Sequence, residues 1–174
     1  MFRKILFGAG LLALITIAVA PGIWKTLTDA VRINALAQRI ASFELPEGYQ
    51  PDYAVEILDY TIVAYKSVAQ RGHLAFLQTP PGVIPTGTVL EGYLVNNTAA
   101  HTWREASVLR TETRTIRDQS ATMTISDRIN GEGQRYRSLN LVFEGRDGTT
   151  LLAINQPETQ WNDEAIEAFI ASIS

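Results

Sequence analysis

The chain has 174 residues with 46% apolar and 19% charged side chains and a net charge of -3, which is room for one domain plus a short extra segment. That charge is unevenly placed: residues 1–43 carry Arg3, Lys4, Lys25, Arg32 and Arg39 against Asp29 alone, so the remainder is distinctly acidic. An acidic body excludes a general nucleic-acid binder, and the absence of cysteine excludes disulfides, thiolate metal sites and a cysteine nucleophile together.

Ile5 to Trp24 contains no charged residue, and Thr16 is its one polar side chain. Twenty residues of α-helix span about 30 Å, the thickness of the hydrocarbon core. Lys25 closes the segment, and Trp24 suits the headgroup interface. A cleaved signal peptide is the competing expectation, because Arg3 and Lys4 form an n-region and Ala18-Val19-Ala20 is a small-residue site. Pro21 just after that site and the apolar continuation to Trp24 favour an uncleaved anchor over residues 1–24, with the bilayer as its partner through residues 5–24. A signal-like start keeps the N-terminus in the cytoplasm, so the expectation is a cell-membrane protein whose C-terminal body lies outside the cytoplasm.

Thr28 and Asp29 are good N-caps for a helix with apolar positions at Val31, Ile33, Leu36, Ala37 and Ile40. Residues 25–42 therefore read as a juxtamembrane amphipathic helix. Its stripe either packs on the body or membrane, or pairs with another copy. From residue 43 to 174 the texture is that of an α+β body. Phe43 to Tyr49 suggests a short strand and a turn, and Tyr60 to Tyr65 and Leu74 to Leu77 are strands. Pro80, Pro81, Gly82, Pro85 and Gly87 mark a loop. Thr88 and Glu91 fit a capping box that opens a short helix to about Val95.

Ala106 to Asn155 is the most β-like stretch. Glu112 and Arg114, with Arg110 nearby, alternate with Thr111, Thr113 and Thr115. Ala121, Met123 and Ile125 alternate with Thr122, Thr124 and Ser126, and Leu139, Leu141 and Phe143 follow the same rule. Period-two patterning with short turns predicts an antiparallel meander. Gly131-Glu132-Gly133 reads as one hairpin turn, and Gly145-Arg146-Asp147-Gly148 as another, with positive φ expected at Asp147 and Gly148. A last helix is capped by Asn162, carries Asp163 and Glu164 in its first turn, and aligns Ile166, Phe169, Ile170 and Ile173 on one face. Trp161 before the cap and Ile166 fit a hydrophobic staple.

The pieces Phe43 to Tyr49, His73 to Gln78, Thr115-Ile116-Arg117, Phe143 to Gly148 and Trp161 to Ile173 resemble the PsbP-like α/β/α sandwich. The chain looks closer still to bacterial single-pass membrane proteins that carry such a domain. This resemblance implies an antiparallel sheet covered by helices and a membrane setting. It implies no agreed activity, and no photosystem role transfers, since no metal-retention residue can be matched.

Chemistry is sparse. His73 and His101 stand alone, without metal-ligand spacing, and no nucleophile elbow, P-loop or zincin motif occurs. No cofactor and no metal ion is expected. Asp52, Glu56 and Asp59 read as a solvated edge before a cation site. Six arginines from Arg110 to Arg137 read first as cross-strand ion pairs. The alternative is a pocket for a small anionic ligand or an envelope protein, built from Arg135, Tyr136, Arg137, Trp103 and Arg104. Asn96-Asn97-Thr98 is a glycosylation sequon with nothing to show that it is used. The leading expectation is a membrane-tethered binding or interaction module without catalysis. The runners-up are a small hydrolase or transferase using His73 with a carboxylate, and a structural subunit of a membrane assembly.

Overall fold

The computed structural model describes residues 28–57, 59–68, 72–85 and 103–174. The expected anchor at residues 5–24, the capping box at Thr88, the sequon and His101 all lie outside the described residues. Among the described residues no helix is long and apolar enough to cross a membrane.

Seven strands form one antiparallel sheet in the order β1-β2-β3-β7-β6-β5-β4. They are β1 (Tyr49–Ile57), β2 (Tyr60–Ser67), β3 (His73–Gln78), β4 (Trp103–Ile116), β5 (Gln119–Asn130), β6 (Arg135–Glu144) and β7 (Thr149–Pro157). The described helices are α1 (Ala30–Ile40) and α2 (Asp163–Ala171), the second entered through a 3-10 turn at Glu158–Gln160. The meander expected from Ala106 onward is β4 to β7, and the expected strands at Tyr60 and Leu74 are β2 and β3.

Both described helices bury their stripes on the same face of the sheet. Ile33, Leu36, Ala37 and Ile40 of α1 and Ile166, Phe169 and Ile170 of α2 are at most 5% exposed. They meet Tyr65, Phe76, Leu141 and Ile154 of the sheet in one apolar cluster. Phe43 stacks on Phe76 at 4.7 Å and meets Phe169 edge-on at 5.8 Å. Helix α1 is therefore part of the body, packed through Ile33, Leu36, Ala37 and Ile40, while Val31 of the same stripe is 78% exposed. A smaller cluster of Ile62, Ala64, Ala75, Leu77, Leu151 and Ala153 lies on the opposite face.

Three local features differ from the sequence expectations. No strand forms between Phe43 and Pro46; that segment crosses the core as irregular chain, with Phe43 and Leu45 packed on it, and the turn comes at Glu47–Gly48. Strand β1 follows instead, and its Pro51 is accommodated by a register shift between Pro51 and Tyr53 on an edge strand. The hairpin with positive φ at both central residues is Arg117 (51°) and Asp118 (61°), between β4 and β5. At the other hairpin Asp147 keeps a negative φ, because four residues rather than two make the turn. Gly148 is needed there for space: a Cβ would overlap the carbonyl oxygen of Thr79.

Candidate functional site

The first turn of the body, Pro46 to Tyr49, passes beside the N-terminal end of α2 and leaves a cleft of about 330 Å³. Leu74 of β3, Ile154 and Gln156 of β7, Gln160 of the 3-10 turn and Asn162 with Ala165 and Ile166 line the rest. Alternation places these β3 and β7 residues on the helix-covered face, since Leu74 opposes Ile154 across the β3–β7 pair. The volume falls at the small end of ligand pockets, which begin near about 300 Å³.

Its polar atoms are unevenly matched. Gln156 Nε2 donates to Tyr49 Oη at 2.7 Å, while Gln156 Oε1 and Gln160 Oε1 are buried without a hydrogen-bond partner. Burial raises the Tyr49 hydroxyl pKa above its ordinary value, partly offset by the bond from Gln156, so Tyr49 stays neutral at physiological pH. Asn162 caps α2 by accepting from the Ala165 amide at 3.1 Å. Gly72 keeps the wall thin: a Cβ there would sit 3.2 Å from Gln156 Cγ and 3.4 Å from Tyr49 Oη.

The residues expected as a recognition pocket divide between the two faces. Arg137 lies on the helix-covered face directly opposite Asp127 and donates to it at 2.8 Å through Nε. Glu158 stands 3.6 Å from the same guanidinium, and the Trp161 ring lies 5.9 Å below it. That bond to Asp127 raises the Arg137 pKa further. Arg135 is 74% exposed, with Glu158 at 3.9 Å. Tyr136 and Trp103 occupy the opposite face, where they meet edge-to-face at 5.4 Å and Arg128 lies over the Trp103 ring. The side chain of Arg104 is outside the described residues. Arg110 and Arg114 reach Glu112 and Glu167, tying β4 to α2.

His73 is half-buried at the start of β3, between Lys66 of β2 and Asn155 of β7 in register, and it does not line the cleft. Lys66 pairs with Asp52 at 2.9 Å, and Arg39 with Glu56 at 2.6 Å, so these two carboxylates of β1 hold neighbouring elements. Among the described residues no group of histidine and carboxylate side chains is arranged to hold a metal ion.

The fold is similar to the solution structure of cyanobacterial PsbP (CyanoP) from Synechocystis sp. PCC 6803, with a TM-score of 0.48 and 16% identity over 79% of this chain and 87% of that one. That likeness concerns the fold alone, at the level of the PsbP-like resemblance read from the sequence. No family model matches the chain, and neither does any curated protein.

Proposed function

We propose that this protein is a membrane-tethered binding module, held outside the cytoplasm, that recognises its partner through the cleft beside Tyr49 and presents that cleft toward the bilayer. The observation that carries the reading is one of placement. Within helix α1, Asn34 Oδ1 accepts from Tyr65 Oη, and Arg39, more than a turn later, pairs with Glu56. Tyr65 sits toward the β2 end that pairs with the start of β3, and Glu56 toward the other end. The N-terminus of α1 therefore emerges at the same end of the sheet as Tyr49 and Gln156. Val31 and Val68 are exposed at that end, at 78% and 66%.

If residues 5–24 span the bilayer, only residues 25–29 separate the span from α1. Five extended residues reach at most about 18 Å. A tether that short keeps the start of α1, and the cleft end of the sheet with it, near the membrane surface. A binding rather than catalytic role is supported by the lining: Tyr49 is neutral, Glu47 is exposed, and among the described residues no histidine, lysine, serine or threonine joins them.

The test uses the full-length chain in its own membranes. Alkaline carbonate leaves it in the pellet, and a photo-crosslinking residue replacing Glu47 at the cleft rim yields a discrete adduct. The same residue replacing Ile84, in the loop at the opposite end, yields none. Release of the chain by carbonate, or adducts from Ile84 with none from Glu47, contradicts the reading.

A further inference from the structure

We propose that the cleft takes a neutral primary carboxamide group through Gln156, Gln160 and Tyr49; this assignment of ligand class rests on the binding-module reading above. Two buried acceptors without partners, Gln156 Oε1 and Gln160 Oε1, contribute side chains to the lining of one cleft. Buried polar atoms are rarely left unmatched, and a ligand that supplies their partners recovers the desolvation cost already present in the empty cleft. Tyr49 Oη accepts from Gln156 Nε2 and retains its own proton for donation. The lining therefore asks for two donors and one acceptor. A primary carboxamide has two N–H groups on one nitrogen and a carbonyl oxygen beside them. Turning the Gln156 amide over exchanges donor and acceptor between it and Tyr49, and the ligand must still bring one of each.

Charge and donor count disfavour the nearest alternatives. An anion would meet two carbonyl-type oxygens and Glu47, with no cation among the described lining residues to receive it. An ammonium would bring donors to the two oxygens but no acceptor for the Tyr49 proton. A neutral group that carries both donor and acceptor is the best match. Pro46, Leu74, Ile154 and Ile166 give the same cleft an apolar wall, which suits the short hydrocarbon stem of such a group.

The experiment compares three near-isosteric probes, propionamide, propionate and propylammonium, against isotope-labelled full-length protein in lipid nanodiscs at pH 7. Backbone amide shifts of Gly48, Tyr49, Gln156, Gln160 and Ala165 are followed by NMR. The expected result is saturable movement of these amides with propionamide and at least tenfold weaker binding of both charged probes. N-methylpropionamide, with one N–H instead of two, separates a terminal amide from a peptide bond and is expected to bind several-fold more weakly. Gln156→Met and Gln160→Met each weaken propionamide at least tenfold while the rest of the spectrum keeps its positions; having both guards against one variant failing to fold. Equal or tighter binding of a charged probe overturns the ligand class and leaves the binding-module reading standing. Absence of cleft shifts with every probe overturns the ligand class too, and the crosslinking from Glu47 then decides the broader reading separately.

Discussion

Strands β3 and β4 belong to one sheet and do opposite work. β3 buries five of its six side chains, whereas among the described side chains of the fourteen-residue β4 only Ile116 is buried. β3 is an inner strand beside the central β7, and β4 is an edge whose Thr111, Thr113 and Ala106 are exposed. Register shifts at Trp103/Glu105 and Val108/Arg110, and charges at Arg110, Glu112 and Arg114, are features that discourage an edge strand from pairing with another chain. The difference teaches how burial is divided across the sheet. β3 is core on both faces, and the outer wing of β4 and β5 joins the core on its helix-covered face alone, through Ile116, Ala121, Met123 and Ile125.

The sharpest way to break this comparison is Phe76→Ala. Phe76 is fully buried between Phe43 and Phe169, so its truncation is expected to cost about 3–5 kcal/mol in denaturant unfolding. A loss near that of a surface change would mean the core lies elsewhere. Next in size is an alkaline effect. Burial pushes the Tyr65 hydroxyl up to about 12 from an ordinary 10.0, so the folded state holds this proton more tightly than the unfolded chain. Stability from this source is complete below pH 10 and falls as pH rises toward 12, by about 2–3 kcal/mol in all. Unfolding measured across that window should show the decline, and Tyr65→Phe should flatten it.

These two predictions rest on residues the sequence already marked. The apolar run at Leu74 to Leu77 and the β-branched and aromatic run at Tyr60 to Tyr65 read as strands, and the stripe of α2 had to cover a sheet, whereas the stripe of α1 fitted the body, the membrane or a second copy equally by its spacing. Strand β1 was missed because Pro51, Asp52 and Glu56 hide the alternation of Tyr53 and Val55 with Ala54; edge strands tolerate such residues, and their signal is weak for that reason. The cleft left no signal at all. Tyr49, Gln156, Gln160 and Asn162 come from four different elements, and a glutamine carries no spacing rule that would mark it as a binding group. Arg135, Tyr136 and Arg137 are adjacent in sequence, yet strand alternation sends Tyr136 to one face and the arginines to the other.

The smallest expected effect sharpens the comparison from the wing. Thr113 is exposed and pairs with exposed Thr122 across β4 and β5. Thr113→Val, which keeps the branched shape, should change unfolding stability by no more than about 0.5 kcal/mol. A change several times larger would show that the outer face of the wing is covered by something that depends on its hydroxyls.

The central claim, that the cleft end of the body faces the bilayer, is tested most directly by paramagnetic broadening. Full-length protein is placed in nanodiscs containing a lipid spin-labelled at its headgroup, and backbone amide intensities are read along the chain. The account predicts strong loss at Val31, Gly48 and Val68 and full intensity at Ile84, Arg117 and Arg146 at the opposite end. Uniform intensities, or losses concentrated at Ile84 and Arg146, would contradict it.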